Sequence, residues 1–214
     1  MTLTNGGGKV RLVITYNGEI YNFKELRDEL ICDGHIFITQ SDTEVLLHLY
    51  DRLGSAMVSR LRGMFAFAIY DAINSQILLA RDIAGEKPLF YRLDGKRLIF
   101  SSEMKGLFAD ENFQRKLDTE SFEFYLALGF VPGGQSILQG VHKLPAACAL
   151  LYRLESGASK IWKDWELPPA TPVKQKNETE LLDQYEDVLR QAVRLQLNAD
   201  VSVGLLLSGG VDSA

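Results

Sequence analysis

The chain has 214 residues, with 46% hydrophobic and 24% charged residues, a composition typical of folded globular proteins and not of disordered ones. Its net charge of −5 argues against nucleic acid or an anionic membrane as a partner, and its longest apolar runs are too short to span a bilayer. Cys32 and Cys148 lie far apart and have no nearby Cys or His at metal-ligand spacing. This argues against a zinc site or a disulfide framework and favours a reducing, cytoplasmic location.

The first quarter of the chain predicts strands and helices in alternation. Residues 11–16 are β-rich and precede Asn17-Gly18, so we expect a strand that ends in a turn there. Asn22 can cap a helix that stops near Gly34. The predicted elements, in chain order, are a strand (11–16), a helix (22–31), a short strand (36–39) and a helix capped by Ser41 or Asp42 that stops at Gly54.

The following hundred residues predict an α+β domain that is rich in hairpins. Asp94-Gly95, between two β-rich runs, is a strong hairpin signal. The predicted elements are strands at 64–70, 76–81, 89–93 and 97–101, helices near 103–108 and 118–128, and a strand pair at 147–153 and 160–165. We expect Arg81-Asp82 to tie the end of the sheet to the next loop, and the three histidines to have surface or packing roles.

A change of character at residue 166 predicts a domain boundary. Three prolines among polar residues indicate a linker over 166–177, and an amphipathic helix is predicted over 178–197. An apolar strand up to Leu207 follows. The predicted organisation is therefore a first domain (1–165), a linker (166–177) and the start of a second domain (178–214).

The last residues, LLLSGGVDSA, combine a predicted strand with a glycine turn and a helix start. Backbone N–H groups at such a turn bind phosphate, and glycines allow its close approach. Asp212 would repel phosphate unless Mg²⁺ lay between them. The common GxxxxGK[ST] loop is excluded because it requires a lysine. The segment resembles the SGGxDS loop of ATP pyrophosphatases, and the alternative is a solvated turn after an edge strand.

Five further stretches lie in the order found in glutamine-dependent asparagine synthetases: TYNGEIYNF, SDTEV, LRGMFAFAIYD, LLARDIAGEKPLFY and FSSEMKGL. Together with the SGGVDS loop, they extend the resemblance from Arg11 to Ser213. The resemblance implies an α+β N-terminal-nucleophile hydrolase fold, a four-layer αββα sandwich that is incomplete here. It is followed by the first helix and strand of an α/β ATP-pyrophosphatase domain.

The resemblance also implies a function. The first domain of this family releases ammonia from glutamine, and the second uses ATP and Mg²⁺ to activate aspartate as β-aspartyl-AMP, which ammonia then converts to asparagine. Family members are often dimers, so a homodimer of the full-length protein is expected.

The resemblance implies a role for each of several individual residues. Asn17 and Gly18 match the oxyanion hole, and two donors of this kind stabilise the oxyanion of acyl transfer. Glu19 and Asp42 match glutamine contacts, with Asp42 pairing with the α-ammonium group. The residues that match the ATP and magnesium loop are Leu207, Ser208, Gly209, Gly210, Asp212 and Ser213, with Asp212 as the metal-site residue.

The chain departs from the family at its nucleophile. The family uses a cysteine at the mature N-terminus, whose α-amine acts as its base, whereas this chain begins Met1-Thr2. Cys32 and Cys148 are expected to be buried small hydrophobic residues. We therefore expect a fragment of a two-domain enzyme, cut at both ends and unable to hydrolyse glutamine alone.

Two alternatives stay open from the sequence. One is a relative with another acceptor, of the β-lactam synthetase or peptide cyclase type, which has also lost the nucleophile. The other is a non-catalytic remnant that binds glutamine or a partner subunit. Retention of Asn17, Gly18, Glu19 and Asp42 as a set favours a glutamine pocket over the first alternative.

Overall fold

A computed structural model describes residues 1–170, 177–199 and 201–211. The chain divides into two compact units, Met1–Leu167 and Pro168–Ala214. The strands are β1 (Thr2–Thr4), β2 (Val10–Ile20), β3 (Gly63–Asp71), β4 (Gln76–Arg81), β5 (Phe90–Asp94), β6 (Arg97–Ser101), β7 (His142–Lys143), β8 (Cys148–Arg153) and β9 (Ser159–Lys163). The α-helices are α1 (Phe23–Cys32), α2 (Asp42–Leu53), α3 (Thr119–Leu128) and α4 (Glu178–Gln196), and 3₁₀ helices cover Gly54–Arg60 and Met104–Ala109.

Two antiparallel sheets form the centre of the first unit. One sheet has six strands in the order β1-β2-β3-β4-β8-β9, and the other has three in the order β6-β5-β7. Both predicted hairpins are confirmed, β3–β4 and β5–β6, the latter with Asp94 paired to Arg97 across its turn. The predicted strand pair near 147–165 is also confirmed as β8–β9.

Alternation along β3 divides the six-stranded sheet into two buried faces. Phe65, Phe67 and Ile69 pack in the core that contains α1 and α2. Ala66 and Ala68 face the second core, which the three-stranded sheet covers. Because successive side chains of a strand point to opposite faces, this single apolar strand joins the helix layer to the second sheet.

The outer side of the three-stranded sheet is covered less completely. A small core there joins β5 and β6 to the 3₁₀ helix Met104–Ala109 and to residues near 138–141. α3 is capped as predicted, with the Asp118 carboxylate accepting from the Ser121 amide at 2.9 Å. However, its apolar side chains are largely exposed, including Leu126 at 69% and Leu128 at 53%. In the described residues, the helix on this side of the three-stranded sheet therefore buries little apolar surface.

β2 continues straight through Asn17-Gly18, so the predicted turn at this point is wrong. Asn17 pairs with Ala66 and Gly18 with Phe65 in unbroken register. Gly18 has φ 149°, and an added Cβ would lie 2.1 Å from the Met64 carbonyl oxygen. Here glycine is needed because two backbones approach closely, not because the chain reverses.

The predicted short strand at 36–39 is also wrong. Residues 36–39 form no strand, and Ile36 and Ile38 are 83% and 92% exposed. The amides of Ile38 and Thr39 donate to the buried Glu44 carboxylate at 2.7 and 2.6 Å. These backbone donors are satisfied by a side chain and need no neighbouring strand.

α2 begins and ends as the sequence predicts. The Ser41 side chain accepts from the Thr43 amide at 3.1 Å, which makes Ser41 the N-cap and places Asp42 in the first turn. Gly54 ends the helix with φ 57°, in the left-handed region that glycine adopts readily.

The second unit contains α4, as predicted, but not the predicted strand. None of the α4 side chains is buried. Residues 202–208 have no regular structure, and Leu206 is 96% exposed. A strand needs a neighbour for its backbone hydrogen bonds, and no strand in the described residues pairs with this segment. Nowhere in the described residues does a helix have the length and apolarity needed to cross a membrane.

Candidate functional site

In the described part of the chain, one edge of β2 has no neighbouring strand over residues 16–20. Ile14 forms two backbone hydrogen bonds with Met1. The Ile14 amide donates to the Met1 carbonyl at 2.9 Å, and the Met1 amino group donates to the Ile14 carbonyl at 3.1 Å. Every second residue of an antiparallel strand directs its backbone groups to the same side. Tyr16, Gly18 and Ile20 therefore direct theirs to the β1 side, and in the described part of the chain no strand lies there beyond Met1.

The Gly18 N–H group points to this open edge. Its cross-strand neighbour, Phe65, directs its own backbone groups to the other side, where its amide donates to the Asp82 carboxylate and its carbonyl accepts from the Asp82 amide. Gly18 and Phe65 are thus a pair without mutual hydrogen bonds. Among the described residues, no group accepts a hydrogen bond from the Gly18 amide.

Asn17 presents its side chain on the face of β2 that points to the second sheet. It is exposed and lines an open cavity of about 240 Å³. The cavity is also lined by Thr15, Tyr16, Ala66, Phe67, Ala68, Leu89, Phe100, Ser101 and Ser102. Within the described residues the Asn17 amide has no hydrogen-bond partner, so it can donate to a ligand.

Asp42 is fixed at the same open edge. Its Oδ2 accepts from the Ile20 amide at 3.1 Å and from the Tyr16 hydroxyl at 2.7 Å. The Ile20 amide lies two residues beyond that of Gly18, about 7 Å along the strand. Asp42 does not line the cavity that Asn17 lines. It contacts β2 through the Ile20 amide and the Tyr16 hydroxyl.

The arrangement presents groups that are complementary to a carbonyl at one end of a molecule and to a cation at the other. Asn17 and Gly18 offer two free donors for a carbonyl oxygen, and Asp42 offers a carboxylate. Glu19, the fourth predicted residue, is exposed near the end of β2. Sequence reasoning missed Tyr16; the only signal for it was its position directly before Asn17-Gly18.

Neither cysteine lies at this site. Cys32 ends α1 and is exposed, so the prediction that it is buried was wrong: the apolar face of α1 is formed by Leu26 and Leu30 instead. Cys148 is buried as predicted. It lies on β8, three strands away from β2, which corresponds to about 14 Å. Burial also raises the pKa of the Cys148 thiol, which disfavours the thiolate.

Arg81 and Asp82 tie the sheet to the next loop, as predicted. The buried Asp82 carboxylate accepts from the amides of Phe65, Glu86 and Lys87 at 3.2, 2.9 and 3.0 Å. The Arg81 guanidinium donates to three backbone carbonyls, those of Lys87, Leu144 and Gly85. The hydrogen bond from Phe65 to Asp82 fixes the position of β3, which lies between β4 and the strand β2 that carries Asn17 and Gly18.

The predicted nucleotide loop is described only in part. Leu207 is exposed, and the chain bends at Gly209, which has φ 72° and open space where a Cβ would lie. Ser208 and Gly210 flank this bend, while Asp212 and Ser213 lie outside the described residues. The described residues contain no cluster of three or more His, Cys, Asp or Glu side chains that could hold a metal ion.

Both parts of the chain match the model of a protein family. Residues 7–163 match the model of the glutamine amidotransferase domain. The chain belongs to this family. Residues 184–214 match the asparagine synthase model. The match to the glutamine amidotransferase domain covers all the residues of the open β2 edge and Asp42.

Curated relatives extend over almost the whole chain. It is 38% identical over 205 residues to a putative asparagine synthetase [glutamine-hydrolyzing] 2 of Methanocaldococcus jannaschii, covering 95% of this chain and 39% of that protein. It is 36% identical over 201 residues to asparagine synthetase [glutamine-hydrolyzing] 1 of Bacillus subtilis, covering 94% and 31%. The chain thus spans about a third of the length of the curated relatives it matches.

A solved structure supports the fold. The glutamine phosphoribosylpyrophosphate amidotransferase of B. subtilis superposes with a TM-score of 0.50 at 22% identity, covering 72% of this chain and 29% of that one. At this identity the likeness concerns the fold alone. The predicted fold, that of a class II glutamine amidotransferase with antiparallel sheets between helical layers, is confirmed.

Proposed function

We propose that this chain is part of a glutamine-hydrolysing asparagine synthetase, in which ammonia from glutamine amidates aspartate that ATP has activated. Residues 1–165 are the proposed glutamine amidotransferase domain, 166–177 the linker and 178–214 the start of the ATP-binding domain. The names of the curated relatives and the two family matches support this proposal.

The observation that carries the proposal is the pair of free donors at Asn17 and Gly18, with a carboxylate fixed on the same strand edge. Glutamine has the matching groups: a side-chain carbonyl and, beyond an extended carbon chain, an α-ammonium group. The distance of about 7 Å between the Gly18 and Ile20 amides is comparable to the separation of the carbonyl oxygen and the α-nitrogen in extended glutamine.

In this assignment, the Asn17 amide and the Gly18 N–H bind the side-chain carbonyl oxygen and polarise it. Both donors would strengthen their bonds as negative charge develops on that oxygen, and loss of one such donor typically costs about 100- to 1,000-fold in rate. Asp42 pairs with the α-ammonium group, and Glu19 contacts the bound glutamine at the end of the strand.

Binding and polarisation are the steps assigned to these residues. Cys148 is about 14 Å from β2 by strand spacing and buried, and Cys32 is on α1. We therefore propose that this polypeptide binds glutamine without releasing ammonia.

In the second unit, Leu207, Ser208, Gly209, Gly210, Asp212 and Ser213 are the proposed ATP and Mg²⁺ residues. The bend at Gly209 fits this role, because a positive φ lets successive N–H groups converge on a phosphate. Bound MgATP would supply the activation of the aspartate carboxylate. A cytoplasmic location and a homodimer of the full-length protein complete the proposal.

Titration of glutamine into the ¹⁵N-labelled chain tests the amidotransferase assignment. We expect saturable shifts of the Gly18 and Ile20 amides, and at least fivefold weaker binding in Asn17→Ala, because one hydrogen bond contributes about 1 kcal/mol. Asn112→Ala, an exposed asparagine elsewhere, is the matched control. Equal affinity in Asn17→Ala and wild type would refute the assignment.

A parallel ammonia assay tests the proposed role of the cysteines. We expect no sustained ammonia release from glutamine. Turnover that disappears in Cys148→Ser or Cys32→Ser would show that one of these thiols is the nucleophile.

A further inference from the structure

The two oxygens of the Asp42 carboxylate have unequal environments. Oδ2 accepts two short hydrogen bonds, from Tyr16 at 2.7 Å and from the Ile20 amide at 3.1 Å. Oδ1 has only long contacts with the hydroxyls of Ser41 at 3.5 Å and Thr43 at 3.4 Å. One oxygen therefore fixes the orientation of the carboxylate, and the other remains available to a cationic ligand.

The Tyr16 hydroxyl is a permanent donor in this pair. Burial, then the hydrogen bond to Asp42 and the charges of Asp42 and Glu19, raise the pKa of Tyr16 well above its ordinary value. The Tyr16 ring packs against the core that contains α1 and α2, and this packing holds the hydroxyl in place. The hydroxyl thus stays protonated and donates to Asp42 throughout the physiological pH range.

Tyr16 also links the two ends of the candidate site. It directly precedes Asn17 and Gly18 in the same strand, whereas Asp42 belongs to α2. The hydrogen bond from Tyr16 therefore relates the position of a helix side chain to that of the strand donors. The Ile20 amide makes a second such link, but as a backbone group it cannot be removed by a side-chain change.

We propose that Tyr16 is a positioning residue for glutamine, whose hydroxyl holds Asp42 at a fixed separation from the Asn17 and Gly18 donors. This inference rests on the proposed function. It predicts that loss of the hydroxyl weakens recognition of the α-ammonium group while leaving recognition of the side-chain amide unchanged. A purely structural role would affect both ends of the ligand equally.

The test uses the full chain and two ligands, glutamine and glutaramate, which is glutamine without its α-ammonium group. Binding is measured by amide shifts in wild type, Tyr16→Phe, Asp42→Asn and Tyr50→Phe. Tyr50 is the matched control, because its buried hydroxyl lies 3.2 Å from Asp71 Oδ2 in a comparable tyrosine–aspartate pair. Phenylalanine keeps the ring in both variants, and thermal unfolding reports whether each one folds.

We expect Tyr16→Phe to weaken glutamine binding about 10-fold, as for one hydrogen bond to a charged group. Its affinity for glutaramate should equal that of wild type, and Tyr50→Phe should bind both ligands like wild type. If Asp42→Asn weakens glutamine binding but Tyr16→Phe does not, or if Tyr16→Phe weakens both ligands equally, the positioning role is refuted while the proposed function stands. If wild type does not bind glutamine, or Asp42→Asn leaves its affinity unchanged, the proposed site itself fails.

Discussion

Removal of the Asp82 carboxylate should strongly destabilise the first unit. Asp82 is 1% exposed, and its carboxylate accepts from three backbone amides, those of Phe65, Glu86 and Lys87; the bond from Phe65 is buried and the other two are partly buried. In Asp82→Ala all three donors lose their partner at a site that water reaches poorly. Each buried donor left unsatisfied costs about 1–3 kcal/mol.

The buried Phe65 donor alone accounts for about 1–3 kcal/mol in Asp82→Ala, and the two partly buried donors add to this up to a limit of about 9 kcal/mol, compared with the 5–15 kcal/mol that typically stabilises a domain. Asp82→Asn should cost less. Its remaining oxygen can occupy the Oδ2 position, which serves Phe65 and Lys87, so only the amide of Glu86 is left without an acceptor. We expect a loss of about 1–3 kcal/mol for this variant.

Urea unfolding followed by tryptophan fluorescence provides the assay, because Trp162 and Trp165 both belong to the first unit. The midpoint should fall in the order wild type, Asp82→Asn, Asp82→Ala, with an unchanged slope. Asp28→Asn, at an exposed position on α1, is the control and should stay within about 0.5 kcal/mol of wild type. A free energy of unfolding for Asp82→Ala within about 1 kcal/mol of wild type would show that the three hydrogen bonds contribute little to stability.

Three further predictions concern strand approach, pH and thiol chemistry. Gly18→Ala should lower the free energy of unfolding by about 2–4 kcal/mol, because the added Cβ would lie 2.1 Å from the Met64 carbonyl oxygen. Urea unfolding measures this loss, and an unchanged midpoint would contradict the prediction. Burial, then the charge of a neighbouring imidazole, lowers the pKa of His48, so the native state favours the neutral ring and stability is lost as pH falls through the ordinary value near 6.5. Unfolding curves at pH 7 and pH 5 should therefore differ less in His48→Gln than in wild type, and an equal difference would exclude this ring as the cause. Under native conditions a thiol reagent should modify the exposed Cys32 quickly and the buried Cys148 only after unfolding; rapid modification of two thiols would show that β8 opens readily.

Local signals in the sequence were sufficient for those elements whose hydrogen bonds are also local. The Asp94-Gly95 hairpin, the Ser41 cap of α2 and its Gly54 stop all depend on residues within a few positions of one another. The helix α4 was predicted from its amphipathic period, although none of its side chains is buried. Such signals act on the backbone directly and need no distant partner.

Apart from the predicted burial of Cys32, the incorrect predictions concern backbone groups whose hydrogen-bond partners the local sequence pattern does not indicate. Asn17-Gly18 has the composition of a turn, yet β3 pairs with it and keeps it extended. Residues 36–39 have the composition of a strand, yet Glu44 takes two of their amides. The apolar run before Ser208 pairs with no strand among the described residues and forms none itself.

The family, most of the helices and strands, and the candidate residues Asn17, Gly18 and Asp42 could be predicted from the sequence, because motifs and short-range periodicity are properties of neighbouring positions. Only the tertiary structure decided that the Gly18 amide faces an uncovered strand edge and that Tyr16 anchors Asp42 there. Both facts depend on which strands pair and in what register, and register is set by contacts between residues tens of positions apart.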